Sequence, residues 1–189
     1  MIILTDVDGC LLDWAQSYHG WMKRKGYELV NPNEYAMDKC YNIPRAESKA
    51  LCRAFSESAA IGFVPPLRDA IKYVRKLHEE HGAVFHCITS LSNDPHAIKL
   101  REQNLDRIFG EGVFEKVVCL DAGADKDEAL EEYRDSHLMW IEDKKANADL
   151  GVKMGLQSYL LAHPYNADYR GRAMRVSNWR EIYEIVNGR

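Results

Sequence analysis

Short runs of apolar residues recur along the chain, separated by longer stretches in which apolar and polar positions follow a helical spacing. Runs that are short and rich in valine, isoleucine and aromatic residues predict β-strands. We predict strands over residues 2–7, 83–89, 116–120, 138–141, 157–161 and 174–176. Several of these runs are apolar at successive positions, which is typical of strands covered by helices on both faces of a sheet.

The stretches between the strands predict helices, because their apolar residues recur three and four positions apart. One helix is predicted over residues 67–81, and another begins at Pro95 with Asp94 as its N-cap. Ser177 is the expected cap of the last helix. Strands that alternate with helices predict an α/β fold with a Rossmann-like, doubly wound parallel sheet. Further helices are predicted over residues 125–133, 145–154 and 178–186.

The alternation is interrupted after the first strand. Between that strand and Pro65 the sequence has two helical stripes of apolar residues, one starting at Leu11 and one over residues 44–58, and no convincing strand. We therefore predict a small helical insertion at residues 11–64, with residues 1–10 and 65–189 forming the core domain.

Composition narrows the classes of protein to be considered. The chain has 189 residues, 46% of them hydrophobic, which indicates one folded domain with an insertion rather than a disordered chain. Its apolar runs fall short of the roughly 18 residues that a membrane-spanning helix needs, so no membrane partner is expected. The formal net charge of −4 argues against a nucleic acid partner. The oligomeric state stays open, with a homodimer as one option.

Cysteine usage indicates a reducing compartment. The five cysteines are an odd number, lie far apart and include no CxxC pair, which argues against a disulfide framework or a zinc site. The apolar run at the N-terminus has no basic stretch before it, which is unlike a signal peptide. We therefore expect a cytoplasmic protein.

Polar residues collect where the predicted strands end. In an open parallel sheet, the carboxyl ends of the strands form the edge at which ligands bind. Carboxylates crowded there repel one another unless a cation shares the site, and Mg²⁺ prefers carboxylate oxygens and keeps waters for a substrate phosphate. The residues are Asp6-Val7-Asp8-Gly9 after the first strand, Thr89-Ser90 at the second, Asp121 and then Lys126 after the third, and Glu142-Asp143 after the fourth.

These residue types suit the transfer of a phosphoryl group. A carboxylate such as Asp6 can attack phosphorus, and the neighbouring Asp8 can handle the proton of the leaving group. The charge on the transferred group needs neutralisation, for which Thr89 can donate a hydrogen bond and Lys126 can supply a positive charge. Asp143 can hold the metal ion.

The same motifs resemble those of the haloacid dehalogenase-like (HAD) superfamily. Their order and spacing fit over nearly the whole chain, and the insertion lies where that family carries a C1-type helical cap. The resemblance therefore implies a HAD core with a small C1 cap. Asp6-Val7-Asp8-Gly9 resembles the first family motif, Cys87-Ile88-Thr89-Ser90 the second, Lys126 the third, and Ile141-Glu142-Asp143 with Asn147 the fourth.

The resemblance also implies a role for each matching residue. Asp6 would be the nucleophile and a Mg²⁺ ligand, and Asp8 would be the general acid and base, with its backbone carbonyl on the metal ion. Thr89 and Lys126 would bind the phosphoryl group. Asp143 would ligate the metal ion, directly or through water. The implied activity is that of a phosphatase acting through an aspartyl-phosphate.

Two positions depart from the family pattern, and one assignment has rivals. Glu142 stands where the fourth motif often has Gly or Asp, so its role as a ligand stays open. Asn147 replaces the more common Asp and is expected to orient Lys126 or the metal-bound waters. The rivals of Lys126 are Lys116, Lys144 and Lys145.

The substrate is the most open question. The Thr-Ser pair, the Glu-Asp pair and the small insertion are most similar to 5′(3′)-deoxyribonucleotidases, which implies a nucleoside or deoxynucleoside monophosphate. The alternatives are a sugar-phosphate or phosphoglycolate phosphatase, a nucleic-acid-end phosphatase, and a non-enzymatic phospho-accepting module similar to a receiver domain. The aromatic candidates for stacking a base also suit the packing of the insertion itself. The residues expected to bind substrate are Ser90, Trp14, Tyr18 and Asn147.

Overall fold

The computed structural model describes residues 1–188, and a six-stranded parallel sheet lies at its centre. The strand order is β3-β2-β1-β4-β5-β6, so the first strand lies inside the sheet and the chain winds outward on both sides of it. This order confirms the predicted Rossmann-like, doubly wound α/β sheet. The strands are β1 (Ile2–Thr5), β2 (Val84–Ser90), β3 (Phe114–Leu120), β4 (Met139–Glu142), β5 (Gln157–Leu161) and β6 (Met174–Val176).

Helices connect the strands, and short 3₁₀ helices lie at Ala59–Phe63, Glu131–Tyr133 and Pro164–Asn166. Within residues 1–188, none of the helices combines the length and the apolar character needed to cross a membrane. The α-helices of this part of the chain are α1 (Trp14–Arg24), α2 (Met37–Tyr41), α3 (Arg45–Ser56), α4 (Ala70–His81), α5 (Pro95–Phe109), α6 (Asp127–Leu130), α7 (Lys145–Lys153) and α8 (Trp179–Val186).

Capping side chains explain where two helices begin. Asp94 caps α5 as predicted, because its side chain accepts a hydrogen bond of 2.9 Å from the Ala97 backbone. The cap of α8 is Asn178, whose side chain accepts from the Glu181 backbone at 3.1 Å. The prediction of Ser177 as this cap is therefore wrong by one residue.

Two predicted boundaries are also wrong, each for a local reason. Strand β1 ends at Thr5 rather than at residue 7, because the Val7 backbone N–H donates to the Asp6 carboxylate at 2.7 Å instead of to a neighbouring strand. Helix α4 begins at Ala70 rather than at residue 67, since the preceding turn places Arg68 at a φ of 43°, outside the helical region.

The two faces of the sheet pack against separate apolar clusters. Ile3 belongs to a cluster that also holds Phe85 and Ile141 from the neighbouring strands, whereas Leu4 belongs to a second cluster with Trp140. All of these side chains are buried. Successive residues of one strand point to opposite faces, so a sheet covered on both sides requires apolar residues at consecutive positions.

The residues between β1 and Pro65 are largely helical, as the sequence predicts, and contain α1, α2, α3 and the 3₁₀ helix Ala59–Phe63. Tyr18 and Phe55 of this segment share an apolar cluster with Ile3 of the sheet. The packing therefore continues from the sheet into this segment. The division of the chain into a core domain and an insertion at residues 11–64 stays a prediction.

Replacing Asp94 by Ala should weaken the start of α5. The backbone N–H of Ala97 then loses its acceptor, so we expect the free energy of unfolding to fall by about 0.5–2 kcal/mol. Urea unfolding followed by circular dichroism measures this loss. Asp94→Asn is the matched control, because its amide oxygen can still accept the bond. An equal loss in both variants would contradict the assigned cap.

Candidate active site

Three carboxylates meet at the carboxyl ends of two neighbouring strands. Asp6 follows β1, and Glu142 and Asp143 lie at and just after the end of β4, which pairs directly with β1. One oxygen from each of the three side chains lies within 4.8 Å of the others, and all three residues are buried. Crowding and burial both penalise negative charge, so this group requires positive charge nearby.

Lys126 supplies part of that charge. Its Nζ lies 3.0 Å from Oδ2 of Asp6 and 2.7 Å from Oε1 of Glu142, and its side chain is only 1% exposed. Two of the rival lysines form ion pairs at the surface, Lys116 with an exposed glutamate and Lys145 with an exposed aspartate. The third, Lys144, contacts Glu142 through its backbone N–H.

Glu142 acts as an anchor for Lys126. Its Oε1 accepts hydrogen bonds of 2.7 Å from Nζ of Lys126 and from Nδ2 of Asn147, and its Oε2 accepts one of 2.7 Å from the Lys144 backbone. These three bonds occupy the carboxylate of a fully buried residue. The side chains of Asp6 and Asp143 accept fewer hydrogen bonds and so have more acceptor sites left for a metal ion.

The position of Asn147 corrects one expectation. Its amide nitrogen is used on Glu142, so it orients Lys126 through that carboxylate and not by direct contact. Asn147 is itself buried, and the contact that its amide makes in this arrangement is with Glu142. This contact indicates a positioning role for Asn147, and its predicted role in substrate binding stays a prediction.

Asp8 is paired with Arg101, a residue that the sequence did not single out as functional. Nη2 of Arg101 lies 2.8 Å from Oδ1 and 2.9 Å from Oδ2 of Asp8. The Arg101 side chain is fully buried on α5. The available signal was its position, since Arg101 lies four residues after Ala97 and four before Leu105 on the buried stripe of the helix.

Thr89 and Ser90 lie at the end of β2, beside β1. Thr89 is buried, with 1% exposure. The Ser90 hydroxyl donates to the Ala124 carbonyl at 3.0 Å and so holds the loop that leads to Lys126. Ser90, expected to bind substrate, thus has a structural partner for its hydroxyl.

Trp14 and Tyr18 pack within the helical segment. Their rings stack at 4.6 Å between centroids, with an angle of 11° between planes, and both meet the edge of Phe55. Tyr18 is fully buried, so its ring has no face free for a base and its predicted role in substrate binding is replaced by packing. Trp14 is only partly buried.

Three aromatic rings lie next to Asp143, and the sequence motifs gave no sign of them. The Tyr165 hydroxyl donates a short hydrogen bond to Oδ2 of Asp143. The Tyr165 ring stacks on His163 at 4.8 Å and meets Tyr35 at 5.3 Å between centroids. Tyr35 belongs to the segment before α2 and is 47% exposed, so it brings a partly free ring to the site.

Gly9 allows the loop after β1 to approach Asp143. Its φ is +81°, and a Cβ at this position would collide with Oδ2 of Asp143. Nε2 of His163 donates to the Gly9 carbonyl oxygen at 2.7 Å, which fixes the same loop from the other side. Any larger side chain at residue 9 would displace the Asp143 carboxylate.

Burial and charge shift the pKa values of these groups. Burial raises the pKa of Asp6 to about 6, although the Lys126 ammonium opposes the shift. Burial and then the charges of Glu142 and Asp6 hold the pKa of Asp143 well above its usual value. Burial alone would lower the pKa of Lys126, but the Asp6 and Glu142 carboxylates outweigh it and raise that pKa.

The charges indicate which ligand this site would take. Asp6, Asp8, Glu142 and Asp143 are four carboxylates, and Lys126 and Arg101 are the two cations paired with them, so two negative charges remain when all are ionised. One divalent cation would balance them. Oxygen donors in a buried carboxylate group are the donor set that Mg²⁺ prefers, and the residues present therefore fit a magnesium ion.

Comparison with known proteins agrees with this fold. No family model matches the chain. It is similar to an uncharacterised 32.4 kDa protein of Enterobacteria phage T4, with 23% identity over 190 residues that cover 95% of this chain and 67% of that protein.

Solved structures give the wider context. The chain is similar to a predicted phosphatase from Clostridium acetobutylicum, with a TM-score of 0.66, 13% identity and coverage of 100% of this chain and 98% of that chain. It is also similar to YfnB from Bacillus subtilis, assigned as a HAD-hydrolase and solved bound to magnesium, with a TM-score of 0.67, 16% identity and 98% coverage of both chains. The chain thus has the fold of HAD-like hydrolases.

The raised pKa of Asp6 predicts that Mg²⁺ stabilises the protein more at neutral than at acidic pH. An acid whose pKa rises on folding favours the folded state while protonated, so its contribution is lost as the pH rises from the ordinary value of 3.8 through about 6. A bound cation offsets this loss because it favours the ionised carboxylate. We expect the rise in melting temperature on replacing EDTA by Mg²⁺ to be larger at about pH 7.5 than at about pH 5.

Asp6→Asn is the control for this measurement, since the amide does not titrate in this range. Its response to Mg²⁺ should be smaller than that of the wild type and should depend less on pH, with Asp143 as the remaining titrating ligand. A wild-type response that is the same at both pH values would contradict the assignment of Asp6 to the metal site.

Proposed function

We propose that this protein is a Mg²⁺-dependent phosphomonoester hydrolase that acts through an aspartyl-phosphate on Asp6. The observation that carries the proposal is the buried group in which Asp6 contacts Lys126 and lies beside Asp143 at the carboxyl ends of adjacent strands. A carboxylate placed between a fixed cation and a site for a second cation suits attack on a phosphate dianion. The phosphatase and the magnesium-bound hydrolase among the similar structures support the same chemistry.

The metal ion would be held by the side chains of Asp6 and Asp143 and by the backbone carbonyl of Asp8. When bound, Mg²⁺ neutralises charge on the phosphoryl oxygens. Tyr165 holds Oδ2 of Asp143, and Gly9 leaves that carboxylate room, so the chain itself fixes one of the two side-chain ligands.

In the first step, a carboxylate oxygen of Asp6 attacks phosphorus and the bond from phosphorus to the ester oxygen breaks. Asp8 gives its proton to the leaving alkoxide, which departs as an alcohol. Lys126 donates to the phosphoryl oxygens, where its charge is held in place by Glu142. The buried Thr89 at the neighbouring strand end adds a hydroxyl donor.

In the second step, Asp8 takes a proton from water, and the water oxygen attacks the phosphorus of the aspartyl-phosphate. The acyl phosphate bond from phosphorus to the Asp6 oxygen breaks, which releases inorganic phosphate and restores the Asp6 carboxylate. Asp8 is again protonated and ready for the next ester. Asp8 therefore acts as a general acid in the first step and as a general base in the second, while Asp6 carries the phosphoryl group between them.

Among substrates, we favour a nucleoside or deoxynucleoside monophosphate. The support lies in Tyr35, whose partly exposed ring sits against Tyr165 beside the carboxylate group. An exposed aromatic ring suits stacking on a nucleobase, because every nucleobase has a π-face. Sugar phosphates and nucleic-acid ends remain as alternatives for the test below.

Replacing Asp6 by Asn should abolish turnover of p-nitrophenyl phosphate and formation of a phosphoenzyme, because the amide cannot serve as the nucleophile. Rapid acid quenching followed by mass spectrometry would detect the phosphorylated Asp6 peptide in the wild type. Asp168→Asn, which alters an exposed ion pair with Lys145, is the matched control and should turn over normally. A stable phosphoprotein without multiple turnover in the wild type would favour a receiver-like module instead.

A substrate panel tests the proposed class of ester. We expect kcat/KM for deoxyuridine monophosphate to exceed that for a sugar phosphate and for a 3′-phosphorylated oligonucleotide. Tyr35→Ala should lower kcat/KM for the nucleotide by about 10-fold, the loss expected for one stacked base, and should leave that for p-nitrophenyl phosphate nearly unchanged. Turnover of the sugar phosphate or the oligonucleotide alone would overturn the nucleotide assignment but not the phosphatase.

A further inference from the structure

Arg101 is a buried cation that protein stability alone does not explain. Its side chain is fully buried, and Nη2 is its contact with the Asp8 carboxylate. Nε and Nη1 have no hydrogen-bond partner among the residues that the structure describes. Burying a guanidinium with donors unpaired is costly, and apolar side chains of similar size are often at least as stabilising as a buried ion pair. The contact with Asp8 therefore indicates a role for Arg101 beyond stability.

The contact holds Asp8 apart from the other carboxylates. The oxygens of Asp6, Glu142 and Asp143 form one close group within residues 1–188, and Asp8 is not a member of it. Asp8 is only two residues from Asp6 and follows the same strand end, so a divalent cation would attract its carboxylate as well. A carboxylate bound to the metal ion could not also move a proton to or from the leaving group.

We propose that Arg101 is a positioning residue that holds the Asp8 side chain out of the metal-binding group and so keeps it available for proton transfer. The proposal rests on the proposed phosphatase function and adds a residue to it. The Asp8 carboxylate is the hydrogen-bond partner of the Arg101 guanidinium, so Arg101 acts through Asp8. Its rigid, planar guanidinium places its Nη2 between both carboxylate oxygens.

The test compares esters that differ in their need for a proton. The kcat/KM for p-nitrophenyl phosphate, whose leaving group departs without protonation, is measured beside that for phenyl phosphate, whose leaving group is more basic. In Arg101→Met we expect kcat/KM for phenyl phosphate to fall about 10- to 10³-fold, and that for p-nitrophenyl phosphate to fall much less. A role in folding alone would lower both equally.

Magnesium affinity, measured by calorimetry, is a second readout that does not depend on turnover. Once released by Arg101→Met, the Asp8 carboxylate should join the metal ligands and tighten Mg²⁺ binding several-fold. In the Asp8→Asn background the same replacement should change neither the ratio of the two esters nor the affinity appreciably, because there is no carboxylate to release. Additive effects in the double variant would overturn the proposal.

Two further variants complete the design. Arg107→Met removes another guanidinium from α5, one that donates to the Gly62 carbonyl and Asn104, and should leave the ester ratio unchanged. Arg101→Lys keeps the charge, but its ammonium is one bond nearer the backbone than Nη2 and cannot reach Asp8 equally well, so the ratio should lie between those of wild type and Arg101→Met. If Arg101→Met does not fold by circular dichroism, the Arg101→Lys ratio decides, and a wild-type value would overturn the proposal.

The outcomes separate this proposal from the function on which it rests. A wild-type protein that hydrolyses neither ester overturns the phosphatase, and the role of Arg101 with it. An active wild type with an unchanged ester ratio in Arg101→Met overturns the role of Arg101 alone.

Discussion

A lysine buried between carboxylates is the interaction on which this site depends. Nζ of Lys126 lies 3.0 Å from Asp6 and 2.7 Å from Glu142, in a place almost free of solvent. Neither the ammonium nor the carboxylates could be buried in ionised form without the others. The sheet sets the meeting point, since β1 and β4 are parallel neighbours whose chains leave the sheet at the same edge. Two negative charges at that edge remain unbalanced when all the groups are ionised. This excess distinguishes the group from a structural ion pair and indicates a cation-binding site.

The second buried cation, Arg101, pairs with a different carboxylate from those that Lys126 contacts. Lys126 forms ion pairs with Asp6 and Glu142, whereas Arg101 on α5 forms an ion pair with Asp8. Two like-charged aspartates separated by one residue are thus placed in different electrostatic surroundings by two different elements of the fold. In general, chemistry with a pair of carboxylates depends on such unequal surroundings, because they give each group a distinct role.

The sequence was sufficient where a residue follows a strand and insufficient where it lies on a helix or loop. Asp6 and Asp143 could be placed together because strands that alternate with helices must end at one edge of a parallel sheet. Lys126 lies beyond the end of β3, at the N-cap of α6, and was preferred to its rivals through the family resemblance. Arg101 was missed, because its position on the buried stripe of α5 indicates burial but not which carboxylate it would contact. Tyr35 lies in a loop and Tyr165 in a three-residue 3₁₀ helix, and periodicity predicts neither path. The sequence allows Glu142 to be a metal ligand or an anchor, and its three hydrogen bonds indicate the anchor. Tyr18 fits a binding surface and an apolar core equally well by spacing, and packing decides for the core.

The contact between Tyr35 and Tyr165 joins the segment before α2 to Asp143, because the Tyr165 hydroxyl also binds that carboxylate. Any ligand that reorients Asp143 must change the energy of the Tyr165 hydrogen bond, and with it the support for the Tyr35 ring. Thermodynamic linkage makes any such effect mutual, so a molecule that binds against Tyr35 and shifts Tyr165 would change the affinity for an ion at Asp143 by the same factor. The Tyr35 ring and the Asp143 carboxylate are the two ends of one chain of contacts through Tyr165.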